Sequence, residues 1–180
     1  MANCRPLMAS VVFLRAANVG GHQKFQPSAL AKQLADFGVI NIGAAGTFVV
    51  RENVSQSKLR KEILRRLPFK PELMICHARD VLALARSGSF RHVPAGKDVR
   101  QFVSVMQKAP HVTPQLPIEE PAGDEWEVRI VAISGKFGLS FRRPGPKGVY
   151  PNAVVEKHLG VPATTRGWNT ISTICEVLEE

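Results

Sequence analysis

Apolar residues recur at two spacings along the chain, one suited to strands and one to helices. Ser10 to Leu14 (SVVFL) is an uninterrupted run rich in β-branched residues, the pattern of a strand covered on both faces. Pro27 suits a first helical turn, Leu30, Leu34 and Phe37 share one helical face, and Gly38 supplies the stop, so a helix is predicted over 27–37. Val39 to Ile42 and Phe48 to Arg51 read as a hairpin around Gly43-Ala44-Ala45-Gly46. Ser55 is the expected N-cap of a helix with Leu59, Ile63 and Leu67 on its inner face, and Pro68 ends it. A strand from Glu72 to His77 completes a β-α-β-β-α-β order, the split motif of ferredoxin-like folds.

Further along, Val81, Leu82, Leu84 and Ala85 predict a helix ending at Gly88, and Val99 to Met106 a strand. Pro110, Pro114, Pro117 and Pro121 punctuate a segment with little periodicity, read as a proline-rich loop over 108–124. Alternation at Val128, Ile130 and Ala132 predicts a strand from Trp126 to Ser134, which Gly135-Lys136 joins to a second from Phe137 to Phe141. Asn152 is the expected cap of a helix from Ala153 to Leu159, and Ile171, Ile174, Cys175 and Leu178 mark a last helix. Glu179 and Glu180 oppose that helix's dipole and predict a frayed end. The fold class is α+β: two ferredoxin-like lobes, residues 1–78 and 79–180, with mainly antiparallel sheets and helices packed on them.

Composition agrees with a folded chain, since 44% hydrophobic and 22% charged residues over 180 positions exclude disordered and collagen-like classes. The run Leu7 to Leu14 is interrupted by Arg15 with no small-residue cleavage pattern after it, and it is too short to span a membrane. Cys4, Cys76 and Cys175 are isolated and odd in number, which points to a reducing, cytoplasmic setting. Histidines stand at 22, 77, 92, 111 and 158, none at metal-ligand spacing, so neither a metal nor a cofactor is expected. Cys76 and His77 are neighbours on a strand and point to opposite faces, which excludes them as a catalytic pair with each other.

The formal charge is +9 and regional: residues 1–90 hold 13 basic and 5 acidic side chains, residues 91–180 hold 11 and 10. Lys58, Lys61 and Arg65 on the second helix, with Arg142 and Arg143 in a Gly/Pro-rich loop, form a candidate basic surface. Phosphate contact and a solvated face are its two readings, and few aromatic residues stand nearby to stack bases. Asn18, Gly20, Gly21 and Lys24, between a strand and a helix, suit an anion site or a tight turn, and match neither the P-loop nor the dinucleotide fingerprint. Thr165, Arg166, Trp168 and Asn169 gather hydroxyl, guanidinium, indole and amide groups ahead of the last helix. That group can bind phosphate or a planar ring; equally, a Thr or Asn can cap the helix, Trp168 join the core and Arg166 pair with an acid such as Glu156.

The stretch FLRAANVGG over 13–21 with Lys24, together with VEKHLGVPATTRGWNT over 155–170, resembles the bacterial domain-of-unknown-function family 1697. The resemblance spans nearly the whole chain and implies a cytoplasmic protein with ferredoxin-like halves and no established activity. Asn18, Lys24, Glu156, Lys157, Thr165, Arg166, Trp168 and Asn169 match the family pattern. Ala45-Gly46-Thr47 stands where relatives tend to have Ser-Gly-Asn, and Gly167 where they tend to have Asn. The expectation is a binding module for an anionic ligand, a phosphorylated metabolite or nucleic acid, with no nucleophile and base that can be named. The alternatives are an enzyme acting on a phosphorylated small molecule and an interaction protein in which the motifs merely close the fold.

Overall fold

An apolar strand without alternation needs cover on both sides, and strand β1 (Ser10–Leu14) has it: all five residues are buried. The computed structural model describes residues 8–15, 25–90, 92–94, 96 and 98–180. They form an α+β protein with two antiparallel sheets and five α-helices. The chain falls into two compact units, Met1–Arg86 with Ser172–Glu180, and Ser87–Ile171. Against the expected division at residue 78, the third helix and the end of the chain cluster with the first unit.

In the first unit, helix α1 (Pro27–Gln33) carries proline in its first turn and gives way to a 3₁₀ turn at Ala35–Phe37. The helix predicted over 27–37 is thus split, because its last turn tightens before Gly38 reverses the chain at φ +59°. Strands β2 (Val39–Asn41) and β3 (Thr47–Val50) follow, then helix α2 (Gln56–Arg66), capped by the Ser55 hydroxyl accepting from the Lys58 amide. Strand β4 (Leu73–His77) runs straight into helix α3 (Ala78–Arg86). The strand order is β2-β3-β1-β4, every pair antiparallel. Val12, Leu14, Phe48, Val50 and Ile75 turn one face toward Leu30, Leu34, Leu59 and Ile63 of the α1 and α2 segments. Val11, Phe13, Val49, Met74 and Cys76 are buried on the other, where α3 packs on β1 and β4.

The second unit contains β5 (Arg100–Met106), β6 (Ile118–Glu120), β7 (Val128–Ser134), β8 (Phe137–Arg142), α4 (Pro151–Leu159) and β9 (Ala163–Gly167), in the sheet order β6-β7-β8-β5-β9. Between β5 and β7 the chain has no helix; the segment expected to be wholly loop supplies β6 instead. Ile118 buries its side chain there, Glu119 pairs with Arg129 at 2.7 Å, and Glu120 reaches Lys157 of α4 at 2.8 Å. Helix α4 begins at Pro151 rather than behind an Asn152 cap, since a proline in the first turn needs no partner for its missing N–H. Helix α5 (Trp168–Glu179) emerges directly from β9. Its acidic end is held: Glu179 pairs with Arg86, and Arg51 donates to the Val177 carbonyl and to Glu180.

Gly145 approaches the buried Glu127 so closely that a Cβ there would lie 2.4 Å from its carboxylate. Gly145→Ala should lower the urea-unfolding free energy by about 1–3 kcal/mol, the usual cost of overpacking, without changing the far-UV circular dichroism spectrum.

Candidate functional site

The residues Thr165, Arg166, Trp168 and Asn169 lie on β9 and the start of α5, not on a loop. A strand sends successive side chains to opposite faces, so Thr165 and Arg166 cannot converge on one ligand. Thr165 hydrogen-bonds Ser104 of the paired strand at 2.8 Å. Arg166 is 7% exposed and donates to the Thr164 hydroxyl and the Thr165 carbonyl. Burial pushes its pKa down to about 10. Trp168 meets Phe90 edge-on with ring centroids 5.0 Å apart, and Phe90 meets Phe141 likewise at 5.3 Å. Glu156 accepts from the Ala163 amide. Asn18, Gly20, Gly21 and Lys24 lie outside the described residues.

The basic candidates divide. Arg142 donates to the Val149 carbonyl and stacks 4.2 Å from the Tyr150 ring. Arg143 donates to the carbonyls of Trp126 and Asp124 and stacks on the Trp126 ring, which Arg129 also approaches at 4.3 Å. Between them the loop over 143–149 closes on Glu127, whose carboxylate accepts from the Lys147 and Val149 amides at 2.7 Å each. The loop that looked ready for a phosphate is filled by a carboxylate of its own chain. On α2, Arg65 and Arg66 pair with Glu62, while Lys58 lies over Phe37 at 5.6 Å. Lys61 is exposed.

Sequence reading missed a pocket of about 230 Å³ in the first unit, at the end of the helix-covered sheet face where β1 begins and β4 ends. Its polar lining comes from Ser10 on β1, His77 on β4, Asn53, Ser55 and Gln56 at the start of α2, and Arg79 on α3. Met8 and Val54 add an apolar flank. Ser10 and His77 are directly paired across the β1–β4 ladder, which brings their side chains side by side. Ser10 is 3% exposed, and its hydroxyl has no hydrogen-bond partner among the described residues. The buried Asn41 Oδ1 and Ser140 Oγ also lack partners, but both are sealed from solvent. No acidic side chain occupies the first turn of α2, and Ser55 caps a single amide there. The first turn of α2 thus offers no acidic side chain to offset the positive end of the helix. No lining residue is an acid; Arg79 has Asp80 at 3.6 Å outside the lining. Only a serine opening an apolar strand hinted at this site, and the β1–β4 register that completes it cannot be read from sequence.

Comparison with known proteins bears on the chain as a whole. A family model described as a protein of unknown function, DUF1697, matches residues 8–133. The chain belongs to this family. No curated protein matches it. A solved structure of a conserved bacterial protein from Streptococcus pneumoniae is similar in fold, with a TM-score of 0.55 at 17% identity, covering 94% of this chain and 98% of that one. Among the described residues of this DUF1697 member, no helix is long and apolar enough to cross a membrane, and no cluster of three His, Cys, Asp or Glu is placed to hold a metal.

The Glu127 carboxyl is held below its ordinary value of 4.5, first by the Val149 amide and then by the Lys147 amide and the Arg142 charge, against the opposing effect of burial. A depressed folded-state pKa gives stability that is present above the unfolded value and lost as pH falls through the folded one. Glu127→Gln should therefore lower the urea midpoint at pH 7, and its deficit against the native protein should shrink as the pH drops below 4.5.

Proposed function

We propose that this DUF1697 member is a binding module for a small anionic ligand, taken up in the first-unit pocket. The observation that carries the proposal is Ser10: 97% of the residue is buried, it lines an open pocket, and its hydroxyl has no hydrogen-bond partner among the described residues. A hydroxyl that opens into a pocket can give its hydrogen bond to a ligand, worth about 1.5–3 kcal/mol when the acceptor is charged. The other lining groups favour a negative charge, since Arg79 brings a cation, Gln56 begins α2 at the positive end of its dipole, and no lining side chain is an acid. The first unit is read as ferredoxin-like on its order β2-β3-β1-β4 with α1 and α2 on one face. The second has the same order in β7-β8-β5-β9, with β6 and its flanking loops in place of the first crossover helix. A cytoplasmic location fits three isolated cysteines.

Differential scanning fluorimetry at constant ionic strength tests the reading. A ligand at a hundred times its Kd adds about 2.7 kcal/mol, which for a chain of this size raises the melting temperature by about 5–10 °C. Phosphate should give such a rise in the native protein, Arg79→Ala should abolish it, and Lys61→Glu, away from the pocket lining, should leave it intact. A response to none of phosphate, sulfate and citrate would overturn the proposal, as would equal losses in the two variants, which would mean that bulk charge alone attracts the anion.

A further inference from the structure

We infer that the pocket selects a phosphomonoester group over a carboxylate, with Ser10 as the residue that makes the distinction; the inference rests on the anion-binding reading above. The lining groups come from three separate places in the first unit. Ser10 and His77 come from the paired ends of β1 and β4, Asn53 and Gln56 from the start of α2, and Arg79 from the second position of α3. The Ser55 hydroxyl is already committed to the Lys58 amide at 3.2 Å, which leaves the first amides of α2 for an outside acceptor.

A carboxylate offers two oxygens in one plane, so an ion that satisfies Arg79 and the helix start has no third oxygen for the Ser10 hydroxyl. A phosphomonoester offers three terminal oxygens in a tetrahedron and can reach all three directions at once. A hydrogen bond to a charged group is worth roughly tenfold to hundredfold in affinity, which sets the expected preference. The size of the pocket argues in the same direction. At about 230 Å³ it lies below the range of drug-sized sites, and admits a phosphate with the first atoms of whatever carries it. No Phe, Tyr or Trp lines the pocket, which leaves a nucleic-acid strand only the His77 ring to stack on. Met8, which is 53% exposed, and Val54 give the ester's carbon side an apolar edge to leave by.

Isothermal titration of the full chain with inorganic phosphate, glycerol phosphate, acetate and a dT12 oligonucleotide tests the inference, using the native protein and Ser10→Ala. Because the hydroxyl removed has no partner among the described residues, Ser10→Ala should melt at or above the native temperature, so a loss of binding is not a loss of fold. The native protein should bind both phosphates at least tenfold more tightly than acetate, and Ser10→Ala should weaken the phosphates tenfold or more while leaving acetate unchanged. Equal binding of acetate and phosphate, or equal weakening of both by Ser10→Ala, would overturn the selectivity and leave the anion site standing. Binding of the oligonucleotide alone, or of none of the four, would overturn the anion site itself.

Discussion

The first unit depends on the position of β1, a strand paired on both edges and covered on both faces. Its partners are fixed residue by residue: Ser10 faces Val50 on one side and His77 on the other, and Val12 faces Phe48 and Ile75. A slip of one residue would carry Val12 and Leu14 away from α1 and α2 and expose the opposite set to the wrong face. Apolar burial enforces that register, and it carries one polar residue with it. Ser10 stands at the strand's first position, on the helix-covered face beside Val50 at the edge of the apolar core. The pocket lies where this end of the sheet meets the start of α2.

In the second unit the organising group is polar. Glu127 sits at the base of the loop over 143–149, and its carboxylate collects two backbone amides that the prolines and glycines of that loop leave turned inward. Arg142 and Arg143 complete the arrangement through carbonyls and rings, and the Arg142 charge also favours the Glu127 carboxylate. The exclusion of a Cβ at Gly145 and the depressed pKa of Glu127 have the same origin: the loop is folded tightly around an ionised group.

Much of this was legible in the sequence wherever one local signal decided the outcome. The bounds of β1 followed from an unbroken apolar run, and the start of α2 from a serine that does cap it. The failures share a cause. Strand β9 (ATTRG) has two threonines, an arginine and a glycine, a composition that reads as loop until β5 pairs with it and hides Thr164 and Arg166 on one face. Strand β6 lies between prolines and contains one buried residue, Ile118. Both are strands because of their neighbours, not because of their own pattern. The same dependence on partners conceals the pocket, since Ser10, Gln56 and the His77–Arg79 pair lie more than twenty residues apart in sequence and meet only through the sheet register.

The placement of charge along α2 shows why the basic surface and the candidate site are different things. Arg65 and Arg66 occupy its last turn, where cations offset the negative end of the helix dipole, and Glu62 reaches both. The Glu62 carboxyl is accordingly held below its ordinary value, through its hydrogen bonds to Arg66 and Arg65. Charge at this end stabilises the helix that bears it. At the other end, where an acidic residue would serve the same purpose, the sequence places Gln56, Ser57 and Lys58. A helix matched at its C-terminus and unmatched at its N-terminus has one end to which an external anion adds stability, and that is the end that opens onto Ser10.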